Sequence, residues 1–172
     1  LHYPLRRQRQ MCIRDRYGTD AVRFGIMLMA PQGLDVLFSK DRLEIGRNFM
    51  NKLWNACRFI EMNTPESWND DFDVGQYDLE LADKWILNQL FNSIEKYNKQ
   101  LDRLHFNEAA KVLYDFVWND FCDWYIEIAK TRFYSDNVEN KMITYSTCLK
   151  CIRIILPLMR PFTPFISEEL WS

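Results

Sequence analysis

Four side chains at helical spacing carry the most specific chemistry in this sequence: Asn48, Lys52, Asn55 and Phe59, at steps of four, three and four. Those steps place them on one face of a helix. The two amides offer donors and acceptors, Lys52 a flexible cation, and Phe59 a flat ring. Together such groups can stack on an unpaired nucleobase and hydrogen-bond its edges. Arg47 and Arg58 flank the stripe with guanidinium groups suited to phosphates. The same residue types also make an ordinary solvated helix face, with Phe59 in the core, and spacing alone leaves both readings open.

Other chemistry is harder to assemble. The sequence has no Gly-rich phosphate loop. Cys148 and Cys151 are the only cysteines at metal-like spacing; they have no second pair or nearby histidine, so zinc is not expected. His2 and His105 lack an evident triad partner. Asp115, Asn119, Asp123 and Glu127 recur at steps of four. Carboxylates so placed can do acid/base work or hold a metal, but the usual four-helix metal site needs Glu-x-x-His pairs, which are absent. A solvated acidic face accounts for them better. No catalytic residue, metal ligand or cofactor is expected of this chain by itself.

Composition sets the frame for these residues. The 172 residues suit one domain, or one with an appendage, and 48% hydrophobic content is ample for a core. Few glycines and prolines favour long helices over a sandwich or barrel. No apolar run approaches the ~20 residues of a membrane span, and no signal-peptide core opens the chain. Five cysteines without framework spacing suit free thiols in a reducing cytoplasm. The net charge is −2, but residues 1–16 carry five arginines and one aspartate, leaving −6 on the remainder. An acidic body argues against indiscriminate nucleic-acid or DNA binding, yet permits recognition of one loop through a local patch.

The elements that must position the stripe follow from periodicity. Residues 1–16 have no sustained hydrophobic period; they read as a foreign or disordered segment, with a basic RNA-binding arm as the alternative. Residues 17–29 predict a short helix capped by Thr19 or Asp20, with Val22, Ile26 and Met29 inward. Pro31 and Gly33 then break the chain, and residues 35–38 are briefly extended. A central helix over 39–62 opens at an Ser39 cap and buries Ile45, Phe49, Leu53, Ala56 and Ile60. A polar loop over 63–77 is pinned by Trp68 and Phe72. Three further helices follow. The first, over 78–105, buries Ile86, Leu90, Ile94, Tyr97, Leu101 and Leu104. The second, over 106–133, buries Phe106, Ala110, Leu113, Val117, Phe121, Trp124 and Ile128. The third, over 138–159, has a seven-residue repeat (Val138, Met142, Tyr145, Leu149, Ile152, Leu156, Met159) and is kinked or ended by Pro157. Thr163 and Pro164 open a last helix that stops as if truncated. The expected fold is all-α: an up-and-down helical bundle over 40–172, preceded by a helix–loop connector over 17–39.

Five stretches stand in a telling order: Tyr17-Gly18 with Asp20-Ala21-Val22-Arg23, RNFMNKLWNACRF at 47–59, ADKWILNQL at 82–90, FNEAAKVLYDFVWNDFCDWYIEIAK at 106–130, and PFTPFISEELW at 161–171. Together they resemble the helical anticodon-binding domain of the valyl-tRNA synthetases, class I enzymes grouped with the isoleucyl and leucyl synthetases. The resemblance implies a bundle docked on a catalytic Rossmann domain in an enzyme that uses ATP and Mg²⁺ to charge tRNA(Val) with valine. It places the family's anticodon-reading lysine and stacking aromatic on Lys52 and Phe59; Asn55 and Asn48 join them by periodicity. It assigns Asp20 and Arg23 to the connector, where they would fix domain orientation. The family's two ATP-handling motifs, its editing domain and its C-terminal coiled coil are absent from these residues. The chain is therefore expected to be a cytoplasmic synthetase fragment, inactive alone, whose partners are tRNA(Val) and the catalytic domain, with no membrane. The alternatives are an isoleucyl- or leucyl-type relative, or a stand-alone helical scaffold.

Overall fold

Two glycines decide how the first helices meet. In the computed structural model, which describes residues 17–29, 40–69, 71–72 and 74–172, α1 (Thr19–Met29) crosses α2 (Lys40–Met62) in backbone contact. A Cβ on Gly46 would lie 2.2 Å from the Ala21 carbonyl oxygen, and one on Gly25 would lie 2.8 Å from that of Arg42. Only a hydrogen fits in either place. The close approach brings Phe24 onto Phe49, with ring centroids 4.7 Å apart and planes nearly parallel. Phe49, Leu53, Ala56 and Ile60 of α2 and Met29 of α1 are buried as expected, but the close approach adds further residues to both faces. Ala21, Phe24 and Gly25 turn inward on α1, as do Leu43, Gly46 and Met50 on α2, while Ile26 and Ile45 are exposed. The expected residues 1–16 segment, the chain break at Pro31 and Gly33, the extended 35–38 stretch and the Ser39 cap lie outside the described residues.

Asn63 and Thr64 end α2. The Asn63 amide donates to the Phe59 carbonyl, and the Thr64 hydroxyl to that of Glu61, satisfying carbonyls the helix leaves unpaired. The following loop contains a 3₁₀ turn at Val74–Gln76. Trp68 does pin it, edge-on to Tyr145 at 4.6 Å, and packs with Phe72 at 5.8 Å.

Helix α3 (Leu81–Asp102) turns back through residues 103–105 into α4 (Phe106–Asp115). Leu104 holds φ 60° in that turn, where the His105 and Leu104 amides close on the Gln100 and Leu101 carbonyls. This is the usual left-handed helix stop with leucine in glycine's place, so Leu104 points outward instead of joining the α3 stripe. From α4 the chain runs without a break through a π-helical segment, Phe116–Tyr125, into α5 (Ile126–Phe133). A π-helix carries more residues per turn than an α-helix. The buried stripe therefore slips by one position: Tyr125, Ala129 and Phe133 turn inward where Trp124 and Ile128 were expected, and Trp124 is 65% exposed.

Helix α6 (Val138–Met159) is the centre of the bundle. The Asn137 side chain caps it by accepting from the Asn140 amide. Every residue from Met142 to Cys148 is buried, although Val138 is exposed. Pro157 sits within the last turn, where it has no N–H to give the carbonyl four residues back, and the helix ends two residues later. By length and composition α6 would pass for a membrane span, contrary to expectation, but most of its apolar surface packs inside the bundle. Short helix α7 (Pro164–Glu169) follows. Thr163 stands at its N-cap position without capping it, since its hydroxyl bonds the Met159 carbonyl. The capping acceptor is Asp20 of α1, which takes the Ile166 amide at 2.6 Å. Among the described residues there is no strand.

Gly46→Ala is expected to lower stability by about 1–3 kcal/mol through overpacking, despite the ~1 kcal/mol that alanine gains in a helix. Urea unfolding monitored by far-UV circular dichroism measures this, with the midpoint falling at constant slope.

Candidate nucleic-acid interface

The predicted stripe lies on one face of α2, but its members differ in freedom. Asn48 and Asn55 are exposed. Lys52 is engaged: its Nζ pairs with the Asp123 carboxylate and lies 3.9 Å from the centroid of the Trp118 ring. Both partners belong to the π-helical segment. A partly exposed ion pair of this kind is worth at most ~1 kcal/mol, and the cation–π contact a similar amount. Phe59 is half-buried, edge-on to Phe133 of α5 at 5.8 Å, with the Lys130 ammonium 5.9 Å from its centroid. The ring is thus held by the fold on the side that faces α5.

The two flanking arginines sit apart from that face. Arg47 lies 5.6 Å over the Tyr17 ring, near α1. Arg58 is exposed and lines a cavity of about 390 Å³ with Trp54, Glu61, Tyr145 and Glu169, between α2, α6 and the end of the chain. The stripe and the guanidinium groups therefore do not converge on one point.

Asp20 and Arg23 act together on the α6–α7 junction. Asp20 caps α7, and the Arg23 guanidinium donates to the Phe162 and Pro161 carbonyls, each at 3.3 Å. Burial pushes the Asp20 carboxyl above its usual range, opposed by the α7 backbone amides and by Arg23. These contacts tie α1 to the far end of the bundle.

The π-helical segment is itself held from the other side. Asp83 is fully buried; its carboxylate accepts from the Tyr125 hydroxyl at 2.6 Å and from Arg132 Nη1 at 2.7 and 2.8 Å. Arg132 Nη2 reaches Glu80 at 2.7 Å. Burial alone would lower the Arg132 pKa, but the bonds and charge of Asp83, with Glu80, raise it instead. Burial, helped by the Asp83 charge, drives the Tyr125 hydroxyl well up, so it stays a donor. Sequence reading missed this cluster. The available signal was an aspartate, Asp83, three positions ahead of Ile86 and so in line with the apolar stripe of its helix.

The cysteines are not poised for chemistry. Cys57, Cys122, Cys148 and Cys151 are free thiols. Burial pushes Cys57, Cys122 and Cys151 up to about 12 and Cys148 well above the usual range. They remain protonated, which suits core packing. Asp115, Asn119, Asp123 and Glu127 form an exposed row, as expected of a solvated acidic face.

The bundle shares its fold with parts of solved aminoacyl-tRNA synthetases. It superimposes with a TM-score of 0.67, at 16% identity, over 93% of this chain and 32% of Mycobacterium tuberculosis methionyl-tRNA synthetase in complex with methionyl-adenylate. The ternary LeuRS–tRNA–LeuAMS complex from Agrobacterium radiobacter gives a TM-score of 0.61 at 18% identity, over 94% of this chain and 18% of that one. At these identities the likeness is one of fold. Residues 83–172 match the family described as the anticodon-binding domain of tRNA ligase, and the chain belongs to that family. The chain is 42% identical over 162 residues to the valine–tRNA ligase of Syntrophotalea carbinolica, and 44% identical over 160 residues to that of Fusobacterium nucleatum. These alignments cover 94% and 91% of this chain but 18% of each relative, so it spans about a fifth of their length.

Arg132→Leu is expected to cost about 3–5 kcal/mol, because it strands a buried carboxylate. Urea denaturation provides the measurement, and a loss under 1 kcal/mol would show that Tyr125 alone satisfies Asp83.

Proposed function

We propose that this chain is the tRNA anticodon-arm recognition module of a valine–tRNA ligase, supporting ATP-dependent charging of tRNA(Val) with valine in a longer cytoplasmic protein. The observation that carries the reading is the α2 face. Exposed Asn48 and Asn55 alternate with a positioned ammonium, Lys52, and a half-buried ring, Phe59. Membership of the anticodon-binding family and the valine–tRNA ligase relatives support it. A base stacked on the open side of Phe59 contributes ~1–3 kcal/mol, and a bidentate edge contact from Asn48 or Asn55 a similar ~1–3 kcal/mol. Asp20 and Arg23 hold α1 against the α6–α7 junction, a role that fits a connector transmitting the position of a preceding catalytic domain. ATP and Mg²⁺ would bind in that catalytic domain.

A second reading, a helical scaffold without RNA binding, draws on the acidic row beside Lys52. Binding to an anticodon stem–loop separates the two. The chain is expected to bind the stem–loop carrying a valine anticodon and to bind more weakly when the anticodon is changed. Phe59→Leu keeps apolar packing against Phe133 but removes the stacking ring. Its affinity should fall about 5- to 150-fold, corresponding to ~1–3 kcal/mol, with thermal stability within a few degrees of wild type. Fluorescence anisotropy reads the first and calorimetry the second; equal affinity for both loops supports the scaffold.

The chain alone is also expected to catalyse no valine-dependent pyrophosphate exchange. A rate above the buffer background would place adenylate chemistry in these residues.

A further inference from the structure

We propose that Asp123 is a specificity-determining residue of the α2 face: it cancels the charge of Lys52 so that this side chain selects a base edge and not any phosphate. The inference rests on the anticodon-reading function proposed above.

An ammonium has three N–H donors and no acceptor. The Lys52 ammonium already gives one to Asp123, and the Trp118 face covers another side at 3.9 Å. What remains is an outward donor of fixed direction, carried by a pair with no net charge. A free lysine is a mobile point charge that favours phosphate wherever it finds it. A neutralised, positioned donor favours an acceptor that stands in one place, such as a base carbonyl or ring nitrogen.

The arrangement repeats one turn along. Lys130, whose ammonium lies 5.9 Å from the Phe59 centroid, pairs with Glu127 of its own helix at 2.6 Å. Asp123 and Glu127 belong to the exposed row that also holds Asp115 and Asn119. Lys52 and Lys130 are therefore each matched by an acid, one across helices and one within its own, and a strand entering the face meets a negative border. Backbone attraction is the sequence-independent part of nucleic-acid binding, and it grows with each phosphate neutralised. Suppressing it leaves stacking and edge contacts to decide affinity. Discrimination is a difference of affinities, and it widens when the indiscriminate component is removed.

Asp123→Asn in the full chain tests this against two RNAs: the stem–loop with a valine anticodon and the same stem–loop with the anticodon changed. Anisotropy titrations run over a salt series. The variant is expected to bind both RNAs more tightly at low salt, the changed loop gaining more, so that the affinity ratio falls. Its plot of log affinity against log salt should steepen by about 0.7, one additional phosphate contact on a single strand. Lys52→Gln combined with Asp123→Asn should return the slope to the wild-type value. An unchanged slope and ratio in Asp123→Asn overturns the proposal. So does an equal weakening of both RNAs, which is the signature of a purely structural ion pair. Wild-type protein that binds neither stem–loop, or both equally, overturns the anticodon-reading function first and this inference with it.

Discussion

The structure turns on one buried carboxylate. Asp83 sits in the middle of an apolar interface, where an unpaired charge is too costly to keep. It is tolerated because Tyr125 and Arg132 reach it from one continuous helix, seven residues apart, and bind it with three short hydrogen bonds. That requirement fixes the rotation of the π-helical segment and α5 against α3. The same rotation points Trp118 and Asp123 at Lys52, and Phe133 at Phe59, on the opposite flank. The state of the α2 face is therefore set by a cluster that shares no residue with it.

A run of rings ties the same region to the start of the bundle. Phe24 stacks on Phe49, Phe49 leans on Tyr114 at 5.1 Å, and Tyr114 stacks on Trp118 at 5.5 Å, beneath the Lys52 ammonium. The series begins at the glycine crossing of α1 and α2, which alone lets Phe24 approach Phe49. From α1, Asp20 reaches on to α7 and Arg23 to the turn before it. The α2 face, α1 and the end of the bundle thus share one packed core, and a shift of α1 would be felt in all three.

Electrostatics on this fold is economical with positive charge. Lys52 and Lys130 are each paired with an acid, and Arg132 is committed to Asp83 and Glu80. An acidic body of this kind does not collect nucleic acid by field strength. Any recognition must come from shape, stacking and the direction of a few donors, which are short-range and demand a rigid frame.

Much of this was legible in the residues. Period-3.6 patterning located the helices, and the seven-residue repeat of α6 marked the packed seam of the bundle. The resemblance carried by separate ordered motifs pointed to the anticodon-binding family, which the match over residues 83–172 bears out. Those features survive because they depend on local spacing. What spacing could not supply was the rotation of each helix and the identity of its neighbours. The π-helical segment moved Trp124 out and Tyr125 in, because an α-helical template assumes a constant number of residues per turn. Ile26 and Ile45 went outward because glycines, which a hydrophobic count ignores, drew their helices together. Asp20 became the cap of a helix almost the whole chain away, and Lys52 acquired a partner 71 positions distant. The sequence by itself determined which helices form and which residue types each can present. Only the tertiary structure decided which of those side chains remain free, because freedom is a property of neighbours brought together by packing.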